Sequence, residues 1–260
     1  MSGEIVRKLT PEEDELLRKR EELASVRAAL AERELELADL RAQLKSFEGR
    51  YLRQVGVLYA ELDEWEATIA EIEAKLNPSA TANQRAQETR KRAEETHEAT
   101  HGEASKARDF QPSAELKSLF REAAKRLHPD FAKDEADRLL RTRLMAQAND
   151  AYSRGDAEAL QRILDEFGNS PESVQGEGVG AELVRIIRQI HQARTNIAAI
   201  EQELTSLRAS EIAQLKHDTE VAQQEGRDLL AELASNVRER ITDVKKKHET
   251  LAVEVEKRGQ

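Results

Sequence analysis

The amino-acid sequence predicts an all-α protein in which two long coiled-coil helices flank a small helical module. Charged residues make up 35% of the 260 residues and aromatic residues only 3%, so bulky side chains are too few for one large globular core. An excess of Ala, Leu, Glu, Lys and Arg is typical of long helices. Apolar residues repeat at coiled-coil spacing toward both ends of the chain, and the pattern changes in the middle.

The N-terminal arm carries the longer repeat, and we predict a coiled coil over residues 11–77. Thr10 and Pro11 supply a cap and a first helical residue, and Asn77 with Pro78 stops the helix. A second apolar row accompanies the heptads and shifts by one place near Gly49 and Gly56. Steps of seven residues meet an apolar side chain every time, at Leu16, Leu23, Leu30, Leu37, Leu44, Tyr51, Leu58, Trp65 and Ile72.

The C-terminal arm, residues 180–257, is predicted to form the second coiled coil. Apolar spacing of three and four runs from Leu183 to Leu207, lapses through 211–228, and resumes from Leu230 to Leu251. Residues 78–112 have no apolar stripe and are predicted to be a polar linker or a solvated helix, and 168–179 a second linker.

The two arms have two ways to pair. In the first, residues 12–77 run antiparallel to residues 181–256 of the same chain, as a hairpin with the central module at its far tip. In the second, each arm pairs in parallel with its copy in a homodimer, which brings Leu30 against Leu30 of the partner. We favour the hairpin because the arms are similar in length and the intrachain partner is present at high effective concentration.

The central segment, residues 113–167, is predicted to be a compact set of short helices. Ser113 caps a first helix with one apolar face, Gly155 ends a second helix, and Asp156 caps a third. Between the first two lie His128, Pro129 and Asp130. Proline cannot extend the preceding helix, so we expect a sharp exit that presents Asp130 at an exposed, rigid tip beside a cationic helix.

This segment resembles a J-domain, the module that J-proteins use to stimulate the ATPase of Hsp70. The resemblance rests on "LKSLFREAAKRLHPD" followed by "LMAQANDAYSRGD": a basic amphipathic helix that ends in His-Pro-Asp, then a second helix with the pattern of Asn149, Ala151 and Tyr152. Phe120 stands where the family usually has Tyr. By resemblance, the Hsp70-binding residues are His128, Pro129, Asp130, Lys117, Phe120, Arg121, Lys125 and Arg126.

The sequence departs from the family pattern in three places. The usual first helix, with its Tyr-x-x-Leu-Gly signature, is missing, and whether residues 95–112 replace it is open. Glu122 occupies a position that is often basic. Phe131 and Ala132 replace the polar residues that often follow the Asp.

The resemblance implies a co-chaperone of a DnaK-like Hsp70, with coiled-coil arms that select a client or a location. Such a protein is not itself an enzyme and needs no cofactor. The alternative from a different class is a structural coiled-coil adaptor whose J-like module is inactive toward Hsp70. In that case His-Pro-Asp is a plain helix stop.

A remote alternative is a zinc hydrolase, because "HEATH" at His97–His101 matches the His-Glu-x-x-His pattern. The flanking residues give no apolar face and no third ligand, so we predict a solvated segment without a metal.

Charge and composition exclude other classes. The net charge of −10 gives no global basic footprint, so neither nucleic acid nor a membrane is a predicted partner. The absence of Cys excludes disulfides and thiolate metal sites. No apolar run is long enough to span a bilayer, and the first residues lack the apolar core of a signal peptide. We therefore expect a soluble cytoplasmic protein.

Overall fold

The computed structural model describes residues 10–102, 110–168 and 178–258, and these residues are mostly helical, with no strand among them. The predicted all-α class is confirmed. The chain divides into two compact units: the first contains residues up to Ala42 together with Phe110–Arg208, and the second contains Gln43–Asp109 and Ala209–Gln260. Within the described ranges, no helix has both the length and the apolarity that crossing a membrane requires.

The N-terminal arm consists of α1 (Pro11–Tyr51), a π-helical turn over Leu52–Gly56, and α2 (Val57–Leu76). The predicted cap is confirmed, because the Glu13 amide donates to Thr10 Oγ1 and the Thr10 amide donates to Glu13 Oε2. The helix ends before Asn77, as predicted. The π-turn absorbs one extra residue, which accounts for the one-place shift of the second apolar row. The arm is therefore helical from Pro11 to Leu76, and the π-turn lies where the second apolar row shifts.

Helix α3 (Ala80–His101) returns along α2 in the opposite direction. Arg85 lies 3.6 Å from Glu73, Arg90 bonds to Glu71 at 2.8 Å, and the Thr96 hydroxyl donates to Asp63 at 2.9 Å. A Cβ on Gly56 would lie 3.1 Å from the Thr100 methyl, so glycine allows this close approach. For residues 78–112 we predicted either a polar linker or a solvated helix. The structure has a helix over Ala80–His101, and ion pairs hold that helix against α2, so it is not fully solvated. Residues 103–109 lie outside the described ranges.

The first unit contains the central helices α4 (Ala114–Leu127), α5 (Glu135–Arg154) and α6 (Ala157–Gly168), followed by α7 (Val179–Arg208). Helix α7 runs parallel to α1, because residue numbers rise together along the contact. Arg20 pairs with Glu182, Arg33 with Glu201, and Arg208 with Glu36.

The predicted antiparallel hairpin is therefore wrong in direction, although the two arms do pair within one chain. The physical reason is that the chain turns back before α7 begins. Helix α3 returns along α2 by about 33 Å at 1.5 Å per residue, and the central module then packs on the earlier part of α1, with Lys117 beside Asp39 and Phe131 in the cluster of Leu23. The segment between the arms is thus no simple turn. Leu30 is 1% exposed, so the α1 seam, which the homodimer alternative would use, is already filled within the chain.

The second unit contains α8 (Glu211–Gln224) and α9 (Leu229–Arg258). Ser210 caps α8, and Gly226 has a φ of 78°, a left-handed conformation that glycine adopts easily. These two breaks bound the lapse in apolar spacing noted over 211–228, and the C-terminal arm consists of three helices, α7, α8 and α9. Val55 clusters with Leu230, and Leu62 with Val237, so α9 also runs parallel to α2.

Candidate functional site

The central module is built around one face of α4. The Ser113 hydroxyl accepts from the Leu116 amide at 3.0 Å and starts the helix, as predicted. Phe120 lies fully buried in this face and packs on Tyr152 of α5 with ring centroids 4.7 Å apart. Helices α4 and α5 are antiparallel, because Arg141 at the start of α5 donates to the Arg126 carbonyl at the end of α4. The buried residues of the α4 face are Leu116, Phe120, Ala123, Ala124 and Leu127.

The turns that bound the other two helices also follow the sequence. Gly155 ends α5 with a φ of 74°, and the Asp156 side chain accepts from the Ala159 amide at the start of α6. Leu160 and Leu164 of α6 complete the core of the module.

Helix α1 covers one side of the module. Ala31 is fully buried and Leu35 is 6% exposed in the same cluster as Phe120 and Tyr152. The Tyr152 hydroxyl donates to Asp39 of α1 at 3.2 Å, and burial with this carboxylate raises the pKa of Tyr152. Helix α1 is thus part of the packing of this module, and Phe110, which precedes α4, adds its ring against Tyr152.

His128 leaves the helical conformation at the end of α4 and is 4% exposed. Its Nδ1 accepts from the Asp130 amide at 3.2 Å, which assigns the ring proton to Nε2. Nε2 lies 3.2 Å from Glu34 Oε1 of α1 and donates to it. The prediction of an exposed tip is therefore wrong for His128, because α1 lies over it.

Asp130 follows in a 3₁₀ turn over Pro129–Phe131, and its side chain is 8% exposed. Both carboxylate oxygens accept from Asn196 Nδ2 of α7, at 2.8 and 2.7 Å. Burial raises the pKa of Asp130, and the nearby His128 and the Asn196 hydrogen bond oppose that effect. Asp130 is thus held by α7 and is not presented at a free tip.

Phe131 explains why α1 and α7 fit over the turn. It is 5% exposed and joins the apolar cluster between the two helices, with Leu23 of α1 and Ile186 of α7 among its members. The Arg27 guanidinium lies 4.2 Å from its ring centroid. The apolar residue at this position, a departure from the family pattern, therefore anchors the turn in the seam.

The predicted cationic face of α4 is half covered. Lys117 Nζ lies 3.0 Å from Asp39 Oδ2, and Arg121 Nε lies 2.8 Å from Glu32 Oε1, so α1 carboxylates pair with both. Lys125 and Arg126 remain exposed. Sequence reasoning missed Glu32, Glu34, Asp39 and Asn196. The one available signal was Phe131, an apolar side chain where a solvent-facing turn would carry a polar one.

The "HEATH" residues form one turn at the end of α3. The His97 and His101 rings stack with centroids 4.1 Å apart, and His101 Nδ1 lies 3.0 Å from the His97 carbonyl oxygen. Across the described ranges, no group of three or more His, Cys, Asp or Glu side chains is arranged to hold a metal. Within those ranges no third side chain joins His97 and His101.

No protein-family model, curated protein or solved structure matches the chain. The chemistry of the site therefore has to be inferred from its own side chains. Their arrangement is a His-Pro-Asp turn between two antiparallel helices, with the acidic side of α1 on one flank and Asn196 on the other.

Asp130→Asn is expected to make the first unit more resistant to urea at pH 7. A carboxyl group whose pKa is raised in the folded state destabilises that state at pH values above the raised pKa, and the loss disappears as pH falls through it. The amide side chain avoids the cost of burying the charge, and its single oxygen still accepts from Asn196, while its NH2 group takes the place of the second acceptor. Paired urea titrations of the variant and the unmodified chain at pH 7 and at a series of lower pH values measure this, and the difference should shrink as pH falls through the raised pKa of Asp130. A variant that is clearly less stable at pH 7 would contradict the assignment of the burial cost.

Proposed function

We propose that this chain is a cytoplasmic J-domain-type co-chaperone that stimulates ATP hydrolysis by a DnaK-like Hsp70 and is not itself an enzyme. The observation that carries the proposal is the placement of His128, Pro129 and Asp130 at the junction of the basic helix α4 with its antiparallel partner α5. The turn is fixed by the hydrogen bond between the Asp130 amide and the His128 ring and by the buried pair of Arg141 with Asp137.

The contacts that α1 makes support an acidic partner for this surface. Three carboxylates of α1 contact this surface: Glu34 accepts from the His128 ring, and Glu32 and Asp39 pair with cations of α4. An acidic docking surface on a partner would need the same pattern of negative charge. We therefore propose that α1 occupies the surface in the resting molecule in place of Hsp70. The chain acts once α7 moves away from the turn and the α1 carboxylates give up their contacts with it, while Ala31 and Leu35 of α1 stay in the module core.

We also propose that the two long arms are coiled-coil segments that select a client or a cellular location. Their seams are filled within one chain, so a client would bind to other faces. A homodimer through the coiled coils would also need faces outside the α1 seam.

A second candidate is a structural adaptor, and the burial of the turn favours it. In that case Phe131 and the Asp130–Asn196 contact are a permanent bracket between α1 and α7, and no Hsp70 binds.

Steady-state ATP turnover by a DnaK-type Hsp70 separates the two candidates. The chain carrying Glu34→Ala and Asn196→Ala should stimulate turnover, and adding His128→Gln or Asp130→Asn should abolish the stimulation while helicity by circular dichroism stays unchanged. Reversal of the exposed Lys125 to Glu should weaken the stimulation, more strongly at low salt. Stimulation that survives both changes in the His-Pro-Asp turn would defeat the site. Absence of stimulation in every variant would favour the adaptor.

A further inference from the structure

A cationic cleft of about 500 Å³ lies beside the His-Pro-Asp turn in the first unit. Its walls come from α1, the end of α4, the turn that follows, the first half of α5, the end of α6 and the start of α7. Seven of its thirteen lining residues are Lys or Arg, and one, Glu182, is acidic. The whole chain has a net charge of −10, so this concentration of positive charge runs against the average of the molecule.

Arg27 lies in the wall of the cleft without an acceptor. Its Nε is buried, and among the described residues no hydrogen-bond partner reaches it. Its guanidinium stacks over Phe131, and burial together with the charge of Arg141 lowers the pKa of Arg27. A partly buried cation with no counter-charge is costly, because it has lost water without gaining a partner.

Other cations of the cleft divide into paired and unpaired groups. Arg141 bonds to Asp137 at 2.8 Å, and Arg20 bonds to Glu182 at 2.7 Å. Lys125 of α4 and Arg185 of α7 have no carboxylate partner in the described part of the chain, and both are exposed. Arg27, Lys125 and Arg185 therefore bring uncompensated charge to one cleft from three different helices.

We propose that this cleft binds a small anion that carries several phosphate charges. Such an anion would give the Arg27 guanidinium, which lines the cleft, a counter-charge and offset the repulsion between Arg27 and Arg141. Guanidinium groups suit phosphate because their planar fork donates two parallel hydrogen bonds. The volume lies within the range of small-ligand sites. The cleft has two aromatic rings, Phe131 and Phe167, and a guanidinium group already lies over each of them. Neither ring is free to stack on a base or another ring of the ligand, so we infer that the cleft recognises the phosphate groups.

A long polyanion fits less well. A duplex nucleic acid would extend beyond the cleft onto the rest of the surface. The net charge of the chain is −10, so that surface would repel the phosphates of the duplex. The proposed ligand also joins α1, α4 and α7, so by linkage it should stabilise the folded first unit.

Calorimetric titration of the full chain with inorganic tripolyphosphate tests the proposal. We expect saturable one-to-one binding that weakens with added salt, and a ligand-dependent rise in the thermal unfolding temperature. Arg27→Gln and Arg185→Gln should each weaken binding by about tenfold or more, as the loss of a charge-assisted contact implies. Arg27→Gln should keep the fold, because it removes an unpaired charge.

Arg143→Gln is the matched control. Arg143 is exposed on α5, does not line the cleft, and its replacement changes the net charge equally. Equal weakening by Arg143→Gln would show general charge attraction and overturn the site. Absence of saturable binding by the unmodified chain would overturn it as well, and so would a short DNA duplex that binds more tightly than tripolyphosphate. These readouts need no Hsp70, so they are independent of the proposed co-chaperone activity.

Discussion

Replacing Glu34 and Asn196 by Ala together is expected to raise stimulation of a DnaK-type Hsp70 well above that of the unmodified chain. Glu34 accepts from His128, and Asn196 donates to both oxygens of Asp130, so the two changes remove the polar contacts of α1 and α7 with the turn. Leaving a buried carboxylate without its donor costs about 2 kcal/mol or more, which corresponds to a roughly 30-fold shift toward the open molecule. Single-turnover ATP hydrolysis at several concentrations of the chain measures the effect.

The control for this pair is Arg33→Ala with Glu201→Ala. These residues also join α1 to α7, but their side chains are 44% and 52% exposed, and an exposed ion pair contributes about 1 kcal/mol or less. We expect stimulation close to that of the unmodified chain. Equal stimulation by all three proteins would show that α1 and α7 do not restrain the turn.

Leu35→Ala is expected to destabilise the first unit by about 2–4 kcal/mol, the usual cost of deleting a buried leucine side chain. Leu35 is 6% exposed and lies in the core that Phe120 and Tyr152 form, although it belongs to α1. Urea unfolding followed by circular dichroism gives the free energy. Leu17→Ala is the matched control, because Leu17 lies on the same helix but is 44% exposed, and its replacement should cost less than about 0.5 kcal/mol. Similar losses in both variants would mean that α1 is not part of the module core.

Local features of this chain could be predicted from the sequence because they depend on neighbouring residues. The Thr10 cap, the stop at Asn77 and the Ser113 cap are confirmed in this way. Gly155 also ends its helix as predicted, since the left-handed conformation there favours glycine. The apolar face of α4 follows the 3.6-residue period, which places Phe120 and Leu127 in the core.

The direction in which the arms pair could not be predicted, because it depends on where the central module packs on α1 and on a helix with no apolar signal. Helix α3 is held to α2 by ion pairs such as Arg90 with Glu71, and charged residues at these positions are equally typical of a solvated linker. Apolar spacing identifies a seam but gives no direction to its partner.

The covering of the His-Pro-Asp turn was also missed, for a different reason. Its contacts join residues far apart in the sequence, such as Asp130 with Asn196, and a lone Asn beside an apolar row carries no pattern. The exposed tip was inferred from the turn alone, whereas Phe131 makes the turn part of the seam.

A reversible lock between α1 and α7 tests most directly whether these helices close a docking surface. Glu22 of α1 and Arg194 of α7 form an ion pair at 2.8 Å outside the turn. The chain has no native Cys, so Cys residues introduced at these two positions are the only thiols. A short bifunctional maleimide with a reducible spacer can join them. The measurement is Hsp70 ATP turnover with the locked chain, in the Glu34→Ala and Asn196→Ala background, before and after reduction of the spacer. We predict that the locked chain falls to the level of the His128→Gln variant and that reduction restores stimulation. Full stimulation by the locked chain would contradict closure of the surface by α1 and α7.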